Sequence, residues 1–317
     1  MPGPIRTIVA GVSQAAPDAP TLIAAAELAR WTGARLHLVH AYAPAPGYAP
    51  PQMGSAIPEW TREHANSLHA ALEAAARGTP GAQEAVCHSV AATPWAAILD
   101  VAARTDAGLV VVGAARAGRL ATAFLGTTAQ RVLRGAEVPV LVVRRPVHRP
   151  LERVLLTGDL SEPSAAVHEE ALDTVASVFG EPQAARSLMV VTFPILPSPL
   201  PPQPPDPAAR GELDAFLRAR RPRAAAVEPL VRMGQPPEEI AAAAEEWKAD
   251  LLVVGTHARG WAARLALGSV AEAAIRDAPC NVLAVPPRAA ALKGPWEGGE
   301  AAEDPEKASA PAAAVPA

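Results

Sequence analysis

A chain of 317 residues has room for two domains of about 140 residues each. It is 50% hydrophobic but only 4% aromatic, so its cores have to be built from Ala, Val and Leu. A formal charge of −4 argues against non-specific nucleic-acid binding, which needs dense positive charge. The two cysteines, Cys87 and Cys280, lie far apart and outside any CxxC pair, which suits a reducing compartment and no disulfide framework.

The N-terminal residues enter a strand-like run at once, without a secretory signal pattern, so the expectation is a soluble, cytoplasmic protein. Apolar, β-branched runs predict strands near 6–12, 35–41, 84–90, 109–113 and 139–144, with helices near 20–32, 59–77, 94–105 and 123–135. A short linker, RRPVHRP at 144–150, follows. The second half predicts strands near 152–158, 187–193, 224–231, 251–255 and 281–286, with helices near 163–179, 207–221, 236–247 and 266–277. Such alternation signifies a parallel sheet with crossover helices, and runs such as LVVVG and LLVVG suit strands buried on both faces. The uncharged stretch 187–205 is long enough to suggest a membrane span. However, eight of the 14 residues from Pro194 to Pro207 are proline, so it reads as a strand and a stiff loop instead. Beyond about Pro287 the composition falls to Ala, Pro, Gly and Glu, and a disordered tail is expected over 289–317.

The two halves are copies. Residues 108–143 and 250–285 align without a gap, 142 positions apart, with 14 of 36 identical, including Gly113/Gly255, Gly118/Gly260 and Gly126/Gly268. Pro94 and Pro236 each stand 19 residues before the glycine that ends the fourth strand, and both halves carry a proline-rich loop after strand two. Loops at the carboxyl ends of parallel strands are where open α/β sheets bind ligands.

In each copy an apolar run ends at glycine, a Gly/Arg loop follows, and a further glycine with a hydroxyl residue opens a helix. Strand–loop–helix junctions of this kind hold phosphates through backbone N–H groups and a helix N-terminus. A P-loop is excluded because Arg119-Leu120 and Trp261-Ala262 replace its Lys and hydroxyl residue, and GxGxxG is absent after both first strands. The spacing instead resembles the universal stress protein signature G-x2-G-x9-G-[ST]. Gly113–Gly126 and Gly255–Gly268 are each 13 apart and are followed by Thr127 and Ser269. Asp159, in LLTGDLSEPS, stands where that family has an acidic residue after strand one, with Ser161 positioned to cap the next helix.

The resemblance covers roughly residues 4–287. It implies two tandem flavodoxin-like α/β domains, 1–146 and 147–288, each a five-stranded parallel sheet with helices on both faces. It also implies that the last strands, 138–144 and 280–286, meet as an intramolecular pseudo-dimer, and it leaves a further homodimer open. The implied ligand is an adenine nucleotide, ATP with or without Mg²⁺, and the implied role is stress-responsive binding of an unidentified protein partner. On that basis Gly255, Gly268, Ser269 and the following Val270 would hold the phosphates, with His257, Ala258 and Arg259 in the loop above them. Asp159 would hold the ribose or adenine end, and Phe193 would line the adenine pocket.

Two departures bear on function. The signature's middle glycine is Arg116 in the first half and Ala258 in the second, and a Cβ makes close phosphate approach harder. The acidic position of the first half is Ser13. The first-half set (Ser13, Gly113, Arg116, Gly126, Thr127) therefore reads as a degenerate copy, and the second half as the nucleotide site. The alternative is a fold that has lost its nucleotide and serves as a scaffold.

Catalytic machinery is not evident. His37 and His40 fall on opposite faces of a strand, and His64 and His69 are off the helical spacing of a shared ligand set. His168-Glu169-Glu170 lacks the second histidine of a zinc helix, and the tryptophans are too scattered for base stacking. A related ATP-pyrophosphatase loop, Ser-Gly-Gly-x-Asp-Ser, has no match. The chain reads as a binding module rather than an enzyme, with slow ATP hydrolysis left open and no metal site.

Overall fold

The computed structural model describes residues 5–12, 20–42, 59–114, 125–192, 207–219, 226–256 and 267–286. The first half runs β1 (Thr7–Gly11), α1 (Pro20–Thr32), β2 (Arg35–Tyr42), α2 (Glu59–Gly78), β3 (Val86–Ala91), α3 (Pro94–Arg104), β4 (Leu109–Gly113), α4 (Thr127–Gly135) and β5 (Val140–Val143). The second half repeats it with β6 (Arg153–Thr157), α5 (Glu162–Phe179), β7 (Ala184–Val191), α6 (Pro207–Arg218), β8 (Glu228–Met233), α7 (Pro236–Glu246), β9 (Leu251–Gly255), α8 (Ser269–Asp277) and β10 (Asn281–Val285).

Within each half the strands are parallel in the order 3-2-1-4-5. The two sets join through β5 and β10, which pair antiparallel with Leu141 opposite Leu283. The result is one ten-stranded sheet, β3-β2-β1-β4-β5-β10-β9-β6-β7-β8. The strands are apolar on both faces because helices cover both. Ile8, Ala10, Val154 and Leu156 face the layer of α1 and α5, while Val9, Val110, Leu155 and Leu252 face the layer of α3, α4, α7 and α8. Each such Leu or Val, fully withdrawn from water, contributes about 1.5–3 kcal/mol.

Helix ends follow the repeat as well. Pro94 and Pro236 occupy first-turn positions, where a missing N–H costs nothing. Asp106 and Lys248, 142 positions apart, both take positive φ just past α3 and α7. The junction of the halves is less symmetric. On one face Trp31 of α1 meets Phe179 of α5 edge to face at 6.2 Å. On the other, Glu272 of α8 accepts hydrogen bonds from Gln130 and, at 3.0 Å, from Arg134, both on α4. Asn281 Oδ1 accepts the backbone N–H groups of Arg144 and Arg145, and the Arg144 guanidinium donates to the last carbonyls of α8, those of Ile275 and Arg276.

Several boundaries differ from the sequence reading. β7 begins at Ala184 rather than Ser187, because its register is set by β6: Gln183 and Ala184 N–H bond to the carbonyls of Leu151 and Glu152. β8 runs from Glu228 to Met233, where the sequence reading has 224–231. Helices α4 and α8 start after Gly126 and Gly268, which cap them in extended conformation. Among the described residues no helix is long and apolar enough to cross a membrane. The proline-rich stretch 193–206 and the 289–317 tail lie outside the described residues.

Candidate functional site

In each half the strand order reverses between the first and fourth strands, which is where open α/β sheets form a crevice. The pairing of β6 with β9 stops at Leu156 opposite Val253. Beyond that point β6 stays with β7, through Thr157 opposite Leu188 and Gly158 N–H to the Leu188 carbonyl at 3.2 Å. β9 stays with β10, through Gly255 opposite Val285 and Thr256 N–H to the Val285 carbonyl at 3.1 Å. The strands thus part at their carboxyl ends, and the Thr157 hydroxyl closes the base of the gap by donating to the Val253 carbonyl at 3.0 Å.

One lip of this crevice carries Asp159. Its Oδ1 accepts the Ser161 hydroxyl and, at 3.0 Å, the Ser161 N–H, while its own N–H donates to Ser164 Oγ at 3.1 Å. Ser161 caps α5 by accepting Ser164 N–H, as the sequence suggests. The turn is seated tightly, because a Cβ on Gly158 would run into Ser164 Oγ and the His168 ring. His168 is buried at 3% exposure. Its Nδ1–H donates to the Ser164 carbonyl at 2.8 Å, and its Nε2 shares a hydrogen bond of 2.9 Å with the hydroxyl of buried Ser187. A polar chain therefore runs from β7 through His168 and Ser164 to the backbone of Asp159.

The other lip carries Gly255, Thr256 and the start of α8. Gly268 N–H donates to the Thr256 carbonyl at 3.1 Å, so the chain between them leaves and re-enters at one point. Gly268 (φ −59°, ψ 140°) offers no side chain to cap α8, and the first-turn N–H groups at Ser269 and Val270 have no carbonyl within the helix to bond. Ser269 and Val270 are exposed. Neither Gly255 nor Gly268 needs glycine for its backbone angles, and a Cβ on Gly255 would make only ordinary contact with Val167 at 3.4 Å. Phe193, His257, Ala258 and Arg259 lie outside the described residues.

The first half has the same parting, with β1–β4 pairing ending at Ala10 opposite Val111. There a Cβ on Gly113 would stand 2.6 Å from Thr21 Oγ1 of α1, so the Thr21 hydroxyl would have to shift to admit one. Gly126 and Thr127 open α4 as Gly268 and Ser269 open α8. Ser13 and Arg116 lie outside the described residues.

The histidines separate as their spacing implies, with one addition. His40 donates to the Val12 carbonyl at 2.9 Å on one face of β2. On the other face His37 Nδ1 and His88 Nε2 share a hydrogen bond of 2.9 Å between rings stacked at 5.2 Å. This pair is absent from the sequence reading because its members are 51 residues apart and meet only through β2–β3 register. Burial pushes both imidazoles toward their neutral form. His88 is pushed further by His37, Arg104 and His69, and His37 by Arg35. Burial also pushes the Cys280 thiol up to about 12, so it is no nucleophile at neutral pH.

Comparison with known proteins shows the family and the fold. The universal stress protein family model matches residues 4–144 and again 150–286. The chain belongs to the universal stress protein family. A universal stress protein from Thermus aquaticus is 34% identical over 112 residues, 35% of this chain and 79% of the relative. A solved universal stress protein from Pseudomonas aeruginosa shares the fold across both domains, with TM-score 0.62, 16% identity and coverage of 91% of this chain and 95% of that one. A further family structure, described as a complex with cAMP, is 26% identical over 43% of this chain and 97% of its own, with TM-score 0.28.

Proposed function

We propose that this universal stress protein binds an adenine nucleotide, ATP, in the crevice between β6 and β9 of its second half. It would act as a nucleotide-regulated binding module rather than as an enzyme. One observation carries the reading: the strands part to leave a braced carboxylate, Asp159, on one lip and an uncapped helix N-terminus, pinned by the Gly268–Thr256 bond, on the other. A carboxylate suits ribose hydroxyls, and amide N–H groups at a helix start suit phosphates. Glycines at 255 and 268 that neither backbone angles nor, at 255, close packing require leave room for a ligand to approach the chain. Occupancy would change the loops after the second and fourth strands of this half, and a protein partner would read that change.

The test is the nucleotide content of freshly purified protein, by denaturation and chromatography, beside a Gly268→Asp variant. The expected result is about one ATP per chain, lost in the variant, because an added carboxylate faces the phosphates. Repeating the titration in EDTA reads whether Mg²⁺ accompanies it. Protein that carries no nucleotide and gives no calorimetric response to ATP leaves the scaffold reading in its place.

A further inference from the structure

The two outer strands of the sheet, β3 and β8, each have one strand neighbour among the described residues and are built differently. β8 contains Pro229, which has no N–H to offer an added strand, and it is flanked by charge. Arg186 pairs with Glu228 at 3.0 Å, and Arg232 bridges Glu239 and Glu246 on α7. Proline and charge are the usual means of blocking an edge. β3 reads Val-Cys-His-Ser-Val-Ala and has neither. Among the described residues its ladder partners are all on β2, and Val86 is 38% exposed. Helix α2 covers one face of β3, whereas α3 lies over β1 and β2 on the other. Val86, His88 and Val90 therefore form a row at an open margin of the sheet.

The sequence of this edge is symmetric about His88. Two copies laid antiparallel with His88 at the twofold set Val86 against Val90 and His88 against His88 on one face, and Cys87 against Ser89 on the other. Apolar meets apolar, small meets small, and no fixed charge meets its like. We infer that β3 is a docking edge for the β3 of a second copy of this chain, joined antiparallel about His88. The His37–His88 hydrogen bond fixes the central ring. Arg35 on β2, Arg104 on α3 and His69 on α2 surround the pair, with Asp100 and Glu73 already engaged by Arg104 and His69. Two His88 imidazolium groups face to face among these cations repel, so acid separates the copies. A single six-residue strand pair is a small interface, which makes the dimer weak and dependent on concentration.

Sedimentation velocity of the full chain over about a hundredfold range of concentration reads this directly. The expected result at neutral pH is a concentration-dependent dimer that dissociates as the solution is made acid. Val86→Lys, at an exposed position the fold tolerates, weakens it at least tenfold, while Glu228→Lys on the other edge leaves it unchanged. Mild oxidation of a Ser89→Cys variant yields a covalent dimer through Cys87 of the second copy, since directly opposed antiparallel residues fall within disulfide range. A monomer at every concentration overturns the inference. So does a dimer indifferent to Val86→Lys, weakened equally by Glu228→Lys, or not cross-linked through Ser89→Cys.

Discussion

The first strands of the two halves, β1 and β6, make the same ladder, yet their ends are furnished differently. Register equates Val12 with Gly158 and Leu38 with Ser187, since Val12 N–H bonds to the Val39 carbonyl as Gly158 N–H bonds to that of Leu188. The matching contacts of Gly113 with Thr21 and Gly255 with Val167 equate Leu22 with His168. The first half thus fills this corner with three buried apolar side chains, Val12, Leu22 and Leu38. The second half fills it with a glycine, a buried histidine and a buried serine, wired to the turn of Asp159. Buried polar groups are costly unless paired, so they persist where a position must be held. The second half keeps a polar brace behind a polar site; the first has turned the same place into core.

The sharpest way to break that contrast is to cut the brace. His168→Ala leaves the Ser187 hydroxyl buried without its partner and opens a cavity, and is expected to cost about 3 kcal/mol in urea unfolding. Copying the first half with His168→Leu and Ser187→Leu together recovers most of that loss. It also weakens ATP at least several-fold, because Ser164 is no longer held from behind. If the double variant binds ATP as well as the parent, the brace has no part in the site. Gly158→Val copies Val12 and is expected to cost about 2 kcal/mol, since the added Cβ displaces Ser164 Oγ and His168. A Gly158→Val chain with unchanged stability and nucleotide content breaks the comparison from the other side.

A third difference lies at the pseudo-twofold, where equivalent positions hold Gln130 and Glu272 and bond to each other. Gln130→Glu makes the halves alike there and opposes two carboxylates, with Arg134 relieving part of the repulsion. The expected loss is about 1 kcal/mol, recovered by adding Glu272→Gln. Equal effects in the single and double variants argue that the contact has no energetic weight.

The sheet was legible because most strands hold a short apolar run with a glycine or proline close behind, and because repetition lets each half check the other. The turn at Asp159 was legible through the family resemblance, with Ser161 at capping distance in the sequence. The brace was not. His168 reads as a stray helix histidine until β7 brings Ser187 beneath it, and β7 itself starts in an Ala-Ala-Arg run with no strand character of its own. Its register comes from the backbone of β6. Likewise His37 and His88 are tied by pairing across 51 residues, which no local period records.

That last pair supplies the gentlest test, by acid. At the corresponding place the second half has Arg186, paired with Glu228 and lying over Trp247 at 4.6 Å, so no imidazole titrates there. In the first half, burial and then the neighbouring cations lower both histidine pKa values from the ordinary 6.5. Above that value folded and unfolded chains are both neutral at these rings, and the pair has no pH dependence. As pH falls below about 6.5 the unfolded chain takes up protons first, so stability declines until the lowered folded values are passed, and then levels. Thermal unfolding of dilute protein between pH 8 and 5 should show this decline in the parent. His88→Asn, which keeps a hydrogen-bond partner for His37, should flatten it, and an unaltered slope would place the acid sensitivity elsewhere in the chain.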